Sequence, residues 1–103
     1  MDIIDIREKL IAGHFEFSRH ALQRVAERNI RDIEIREAGR SLEMLEAYPT
    51  DKYSPSCLLL GFTSAQRPLH LQVCYSDEAT LKIVTIYEPS DELWSNFRIR
   101  RQK

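Results

Sequence analysis

Two of the chain's three histidines and a set of its arginines are the residues whose types suit catalysis. His20 and Arg24 lie four apart in RHALQRVAERNI, and Arg28 comes four further on. On a helix that spacing stacks the three side chains into one stripe. His70 stands in the run LHLQVCY, Tyr87 in IVTIYEP, and Arg98, Arg100 and Arg101 close the chain. An imidazole titrates near neutrality and serves as base or acid. A guanidinium stays charged, and its fork of donors holds two phosphoryl oxygens at once. A phenol donates a hydrogen bond or stacks on a base. Brought to one place, these groups make an acid, a base and a phosphate clamp. Helices that pack on one sheet face cannot present His20 to a strand residue on the other, so the faces of His70 and Tyr87 decide whether the set converges.

The elements that must position them can be read from periodicity. Ile3, Ile4, Leu10 and Ile11 predict a helix over 2–12, stopped by Gly13. His14 to Phe17 alternates like a short strand. Ser18 is a good N-cap for a helix over about 19–29. Ala21, Leu22, Val25, Ala26 and Asn29 fall in one sector and Gln23 and Glu27 lie on the far side, towards water, which leaves the His20/Arg24/Arg28 stripe on the shoulder, where side chains line a groove. Asp32 caps a third helix, about 33–39, with Ile33 and Ala38 as its buried positions. Strands are expected over 42–48, 57–63, 69–75 and 81–88, with a loop over 49–56. The second of these strands is nearly all apolar and therefore central. In the third, Leu69, Leu71, Val73 and Tyr75 share one face, with His70, Gln72 and Cys74 on the other. Pro89 ends the last strand, and Ser90 or Asp91 caps a short helical turn through Trp94. Trp94 and Phe97 read as a lid on the core. The expected fold is α+β: N-terminal helices on one face of a four- to five-stranded antiparallel sheet, in one domain over 1–103.

Composition narrows the function classes. The chain has 103 residues, 43% of them hydrophobic and 30% charged, which is ordinary for a globular protein. No apolar run reaches a membrane span, and MDIIDIREKL does not read as a signal peptide, so the expected location is cytoplasmic. Cys57 and Cys74 make no disulfide framework, and no metal-ligand spacing occurs, so no metal or other cofactor is expected. With glycine only at 13, 39 and 61, no nucleotide loop is present in the sequence. The last six residues, RIRRQK, hold four of the fifteen basic groups and none of the sixteen acidic ones, leaving a net −5 on the rest. The chain therefore lacks a general basic field but has a basic tail over 98–103, which suits either a solvated terminus or contact with phosphate.

The ordered series RHALQRVAERNI, EMLEAYP, PSCLLLGFT, RPLHLQVCY and IVTIYEP, with Trp94, Phe97, Arg100 and Arg101 closing it, resembles domain-of-unknown-function family 4258 over about residues 15–101. In predicted fold that family is similar to the RelE/ParE-like toxins, several of which cut messenger RNA without a metal. The resemblance thus implies a toxin-like domain of a toxin–antitoxin type module with metal-independent ribonuclease activity. On that reading His20, Arg24, His70 and Tyr87 are catalytic, and Arg28, Lys82, Arg98, Arg100 and Arg101 bind RNA. It also implies a small antitoxin-like partner, of zinc-finger or helix-turn-helix type. The alternative is a non-catalytic module that only pairs with such a partner. The chain departs from the family at Arg31, where a capping serine is usual; an arginine cannot cap that way, so Asp32 is expected to take over.

The same residues fit structural roles too. His20 suits a helix start, and Arg24 and Arg28 suit pairing with Glu16, Glu27 or Glu88. His70 suits a satisfied structural histidine, and Tyr87 suits sheet packing with its hydroxyl tied down. Glu88 fits a general base or an ion pair with Arg24. Cys57 and Cys74 fit small core residues.

Overall fold

The computed structural model describes residues 1–51 and 54–102. Two residues of the expected 49–56 loop, and Lys103 of the basic tail, lie outside them. Helix α1 spans Ile3–Ala12. The Asp2 carboxylate accepts the Ile4 N–H at 2.9 Å to start it. Gly13 ends it at φ 81°, in the left-handed region glycine enters without steric cost. Strand β1 is Phe15–Phe17. Helix α2, Arg19–Glu27, begins where the Ser18 hydroxyl accepts the Ala21 N–H at 3.0 Å. Helix α3 is Asp32–Ala38, continued by a 3-10 turn at Gly39–Ser41. Four strands complete the sheet: β2 Glu43–Tyr48, β3 Ser56–Phe62, β4 Pro68–Tyr75 and β5 Leu81–Tyr87. A small hairpin, β6 Trp94–Ser95 and β7 Ile99–Arg100, closes the chain.

The sheet order is β1-β5-β4-β3-β2. Strands β2 to β5 are antiparallel neighbours, but β1 pairs with β5 in parallel, Phe15 opposite Leu81 and Phe17 opposite Ile83. The sheet is therefore mixed, where a wholly antiparallel one was expected. The reason is that β1 runs into α2 rather than into a hairpin, so it joins the far edge in the direction β5 already takes. Where β1 ends, the Ser18 N–H donates to the Ile83 carbonyl at 3.0 Å and its hydroxyl to the Val84 carbonyl at 2.8 Å. Those two bonds seat α2 beside the second half of β5.

The main core lies between the helices and one sheet face. Ile6, Leu10, Ala21, Ile35 and Ala38 meet Leu59, Leu69, Leu71, Val73, Ile83 and Ile86, all buried. Gly61 lets β3 approach α3, since a β-carbon there would stand 2.4 Å from the Ala38 carbonyl oxygen. Helix α3 departs from expectation in two ways. Arg31 occupies the N-cap place, and its N–H donates to the Glu34 carboxylate at 2.9 Å, so Asp32 is already helical and caps nothing. Ala38 is buried but Ile33 is exposed, because Ile35 and Glu34 take the inner positions.

The C-terminal segment differs most. The Ser90 carbonyl accepts the Leu93 and Trp94 N–H groups, one turn as expected, and the chain then folds into the hairpin instead of stopping. Asn96 (φ 52°) and Phe97 (φ 62°) form its two-residue turn, closed by the Arg98 N–H to the Ser95 carbonyl at 3.0 Å. Positive φ at both central positions is the primed geometry that suits a tight hairpin. Trp94 is buried, yet it lies outside the helix-side core and packs against His70 on the other sheet face.

Candidate functional site

A cleft of about 530 Å³ opens between α2 and the C-terminal segment, over the end of β5. Its size is that of an ordinary small-ligand site. The predicted stripe lines it: His20 in the first turn of α2, Arg24 one turn on, and Arg28 at the helix end. Tyr87 and Glu88 come from the end of β5, and Arg100 and Arg101 from the opposite wall. Thr85, Ile86, Ser90, Leu93 and Trp94 complete the lining among the described residues; periodicity does not mark these five for the site.

His70 does not reach the cleft, so the expected meeting of two imidazoles does not occur. Its ring is wholly buried. Nε2 lies 2.6 Å from the Phe97 carbonyl, which only accepts, so Nε2 carries the proton. Nδ1 is then the acceptor for the Tyr87 hydroxyl at 3.2 Å. Trp94 stands edge-on to the imidazole, with ring centroids 4.5 Å apart. Burial pushes the His70 pKa below its usual value and keeps the ring neutral. Tyr87 is half-buried; its ring borders the cleft while its hydroxyl is turned to His70, and burial raises its pKa. Two other residues also lie elsewhere. Lys82 lines a separate cavity towards the start of β5. Arg98 is held by Glu43 at 2.7 and 2.9 Å.

Among the described residues the cleft carries four guanidiniums and one carboxylate. Arg24 makes a 3.3 Å contact with Glu27 along its own helix. Arg100 lies 4.6 Å over the Trp94 ring and is paired with Glu46 at 2.9 Å. Arg101 donates to the Asp91 carbonyl, and the Arg28 side chain has no carboxylate partner among the described residues. Glu88 does not pair with Arg24. It accepts from Arg67, a residue sequence reasoning passed over. Arg67 also donates to the Arg28 carbonyl at 2.9 Å, the Asn29 carbonyl at 3.2 Å and both Glu34 oxygens at 3.2 Å. One guanidinium thus ties together the end of α2, the start of α3 and the end of β5, which fixes the direction in which Arg28 leaves its helix. No local pattern signals this, since its partners lie 21 to 39 residues away in sequence.

The arrangement can hold an oxyanion and present one solvent-accessible imidazole to it. Among the described residues no group of three or more His, Cys, Asp and Glu side chains could hold a metal, and no helix is long and apolar enough to cross a membrane.

A family model described as a domain of unknown function, DUF4258, matches residues 17–88. The chain belongs to the DUF4258 family. The matched segment runs from the last residue of β1 to the residue after β5 and is shorter than the expected 15–101. It contains His20, Arg24, Arg28, His70 and Tyr87. The hairpin that supplies Trp94, Arg100 and Arg101 lies beyond it. The DUF4258 segment of this chain thus builds one wall of the cleft, and the C-terminal hairpin builds the other. No curated protein and no solved structure matches the chain.

Proposed function

We propose that this chain is an RNA-acting domain, the toxin-like half of a two-protein module of RelE/ParE type. A backbone phosphate lies in the cleft among Arg24, Arg28 and Arg101, beside His20. The gathering of four guanidiniums and one accessible imidazole around a single cleft carries this reading. In cleavage, the His20 imidazole takes the proton of a 2′-hydroxyl, and its oxygen attacks the adjacent phosphorus. The arginines stabilise the added negative charge. The bond to the 5′-oxygen then breaks, and the imidazolium returns its proton to that oxygen. The products are a 2′,3′-cyclic phosphate and a 5′-hydroxyl. His70 has no part in the proton transfers on this reading; it holds the hairpin that forms one wall.

The test is cleavage of a single-stranded RNA by the purified chain in excess EDTA, with the ends identified by mass. His20→Ala is expected to lower the rate by roughly 10²–10⁴, the usual yield of general acid–base catalysis, with its melting temperature unchanged because the side chain is exposed. Undiminished cleavage in that variant removes His20 from the chemistry. A second reading, a non-catalytic module that pairs with a small antitoxin-type protein, is favoured by Leu22 and Leu93, which stand 57% and 53% exposed. It predicts a stoichiometric complex with such a partner and no turnover of RNA.

A further inference from the structure

A second cavity, of about 430 Å³, lies along β5 from the arginine cleft, and its lining differs in kind. Among the described residues, Ser18, Ser54, Ser56, Cys74, Lys82 and Val84 contribute to it, with one carboxylate, Asp51. The Ser18 hydroxyl donates to the Val84 carbonyl at 2.8 Å, and both residues line this cavity. Two residues past Ser18 and one past Val84, His20 and Thr85 already belong to the arginine cleft. Lys82 and Tyr87 stand opposite Cys74 and His70 of β4, so they share the sheet face away from the helices. Four residues of strand lie between them, five steps or roughly 16 Å at the usual rise.

We infer that the two cavities together hold one stretch of single-stranded RNA laid along β5, with a phosphate in the arginine cleft and the base of a neighbouring nucleotide in the second cavity. This rests on the RNA reading of the cleft given above. The chemistry of the two linings divides as the parts of a nucleotide do. Guanidiniums suit phosphoryl oxygens. The Ser18 and Ser56 hydroxyls already donate to the Val84 carbonyl and to Asp51, so both face the cavity as acceptors, and with the Asp51 carboxylate they suit the donor groups on the edge of a base, which a single strand leaves open. Lys82 is half-buried, and among the described residues no carboxylate pairs with it. Glu16, opposite it across the β1–β5 pair, accepts instead from the Ser76 hydroxyl. Lys82 is therefore placed to meet the phosphate that links the two nucleotides.

Binding of two probes separates the parts: a labelled 2′-O-methyl hexanucleotide, which resists cleavage, and a 3′-phosphorylated mononucleotide used as competitor. Lys82→Glu is expected to weaken the hexanucleotide roughly tenfold and to lower its log–log salt slope by about 0.7, one single-strand phosphate contact. The mononucleotide should bind as before. Ser54→Phe, which fills the second cavity without changing the charge of the chain, should also weaken only the longer probe. Arg28→Ala should weaken both. If Lys82→Glu and Ser54→Phe leave the hexanucleotide unaffected while Arg28→Ala weakens it, the extended path is overturned and the arginine cleft stands. Equal weakening of both probes by Lys82→Glu also overturns the path, since the charge then acts only at long range. If the wild-type chain binds neither probe, the RNA reading of the cleft falls and takes the path with it.

Discussion

The two faces of the sheet are covered by different physics. On the helix side, buried strand residues such as Leu59, Leu71 and Ile86 meet apolar helix residues such as Ile6, Leu10 and Ile35. That contact is non-directional and spread over three helices. On the other side a short hairpin does the covering, and much of its hold is directional: His70 to the Phe97 carbonyl, Arg98 to Glu43, Arg100 to Glu46. Phe97 adopts a positive φ that an aromatic side chain rarely takes, and its carbonyl is the group His70 grips. The helix side therefore sets whether the chain folds. The hairpin side sets the shape of a cleft wall, through a few nameable bonds.

Damage to each side in turn should have different consequences. Leu71→Ala, in the centre of the helix-side core, is expected to lower global stability by about 2–5 kcal/mol, read from denaturant unfolding. A loss well under 1 kcal/mol would show that this core is not what holds the fold. His70→Ala comes next, at about 2–3 kcal/mol, because it leaves the Phe97 carbonyl and the Tyr87 hydroxyl short of their buried partner. Its signature should be local. Amide exchange in 94–100 should speed up well before that in β3, and uniform acceleration across the sheet would dissolve the distinction between the two faces.

The same divide decides how far this organisation could be read from sequence. The caps at Ser18 and Gly13 and the alternation in 69–75 are local signals, and the elements they predict are present with ends shifted by one or two residues. The 3.6-residue period placed His20, Arg24 and Arg28 along one line, and they do border one cleft. What was missed depends on distant partners. β1 has three residues, too few to declare direction, and its partner strand begins 64 residues beyond its own end. The strands of the hairpin have two residues each and so carry no period. Nothing in the letter Phe announces a left-handed turn. Alternation correctly put His70 opposite the Leu69/Leu71/Val73 face, but it could not tell that this far face is covered too. The imidazole expected in the open is for that reason sealed.

A smaller effect comes from pH. Burial lowers the His70 pKa, so on acidification the unfolded chain takes up the proton first. Stability is thus fully present above about 6.5, the usual histidine value, and falls as the pH drops below it, by at most about 1.4 kcal/mol per pH unit until the folded state also titrates. Arg100 and Glu46 act on the ring in opposite senses, the arginine lowering its pKa and the glutamate raising it. Glu43 and Glu46 have lowered pKa values, held down first by hydrogen bonds from Arg98 and Arg100, so their contribution is lost only further down, below the usual 4.5. Unfolding curves between pH 7 and 5 for the wild type and His70→Gln isolate the histidine. The slope should be present in the first and missing in the second, and equal slopes would place the titrating group elsewhere.

The smallest expected effect distinguishes the two kinds of hold that Arg100 has on the hairpin. Its ion pair with Glu46 involves a side chain 61% exposed, which solvent and salt screen heavily. Its guanidinium also lies over the buried Trp94 ring, and that contact draws on the ring's quadrupole and on packing of the side-chain stem. If the ring contact dominates, Arg100→Ala should cost roughly 0.5–1 kcal/mol and nearly the same in 1 M salt, where the screening length is only about 3 Å. If the ion pair dominates, the cost should vanish in high salt, and Glu46→Gln should reproduce it. The first outcome makes this corner of the hairpin resemble the helix-side core, held by contact rather than by charge. The second extends the directional hold to the lip of the cleft, where an incoming phosphate would compete with Glu46 for the same guanidinium.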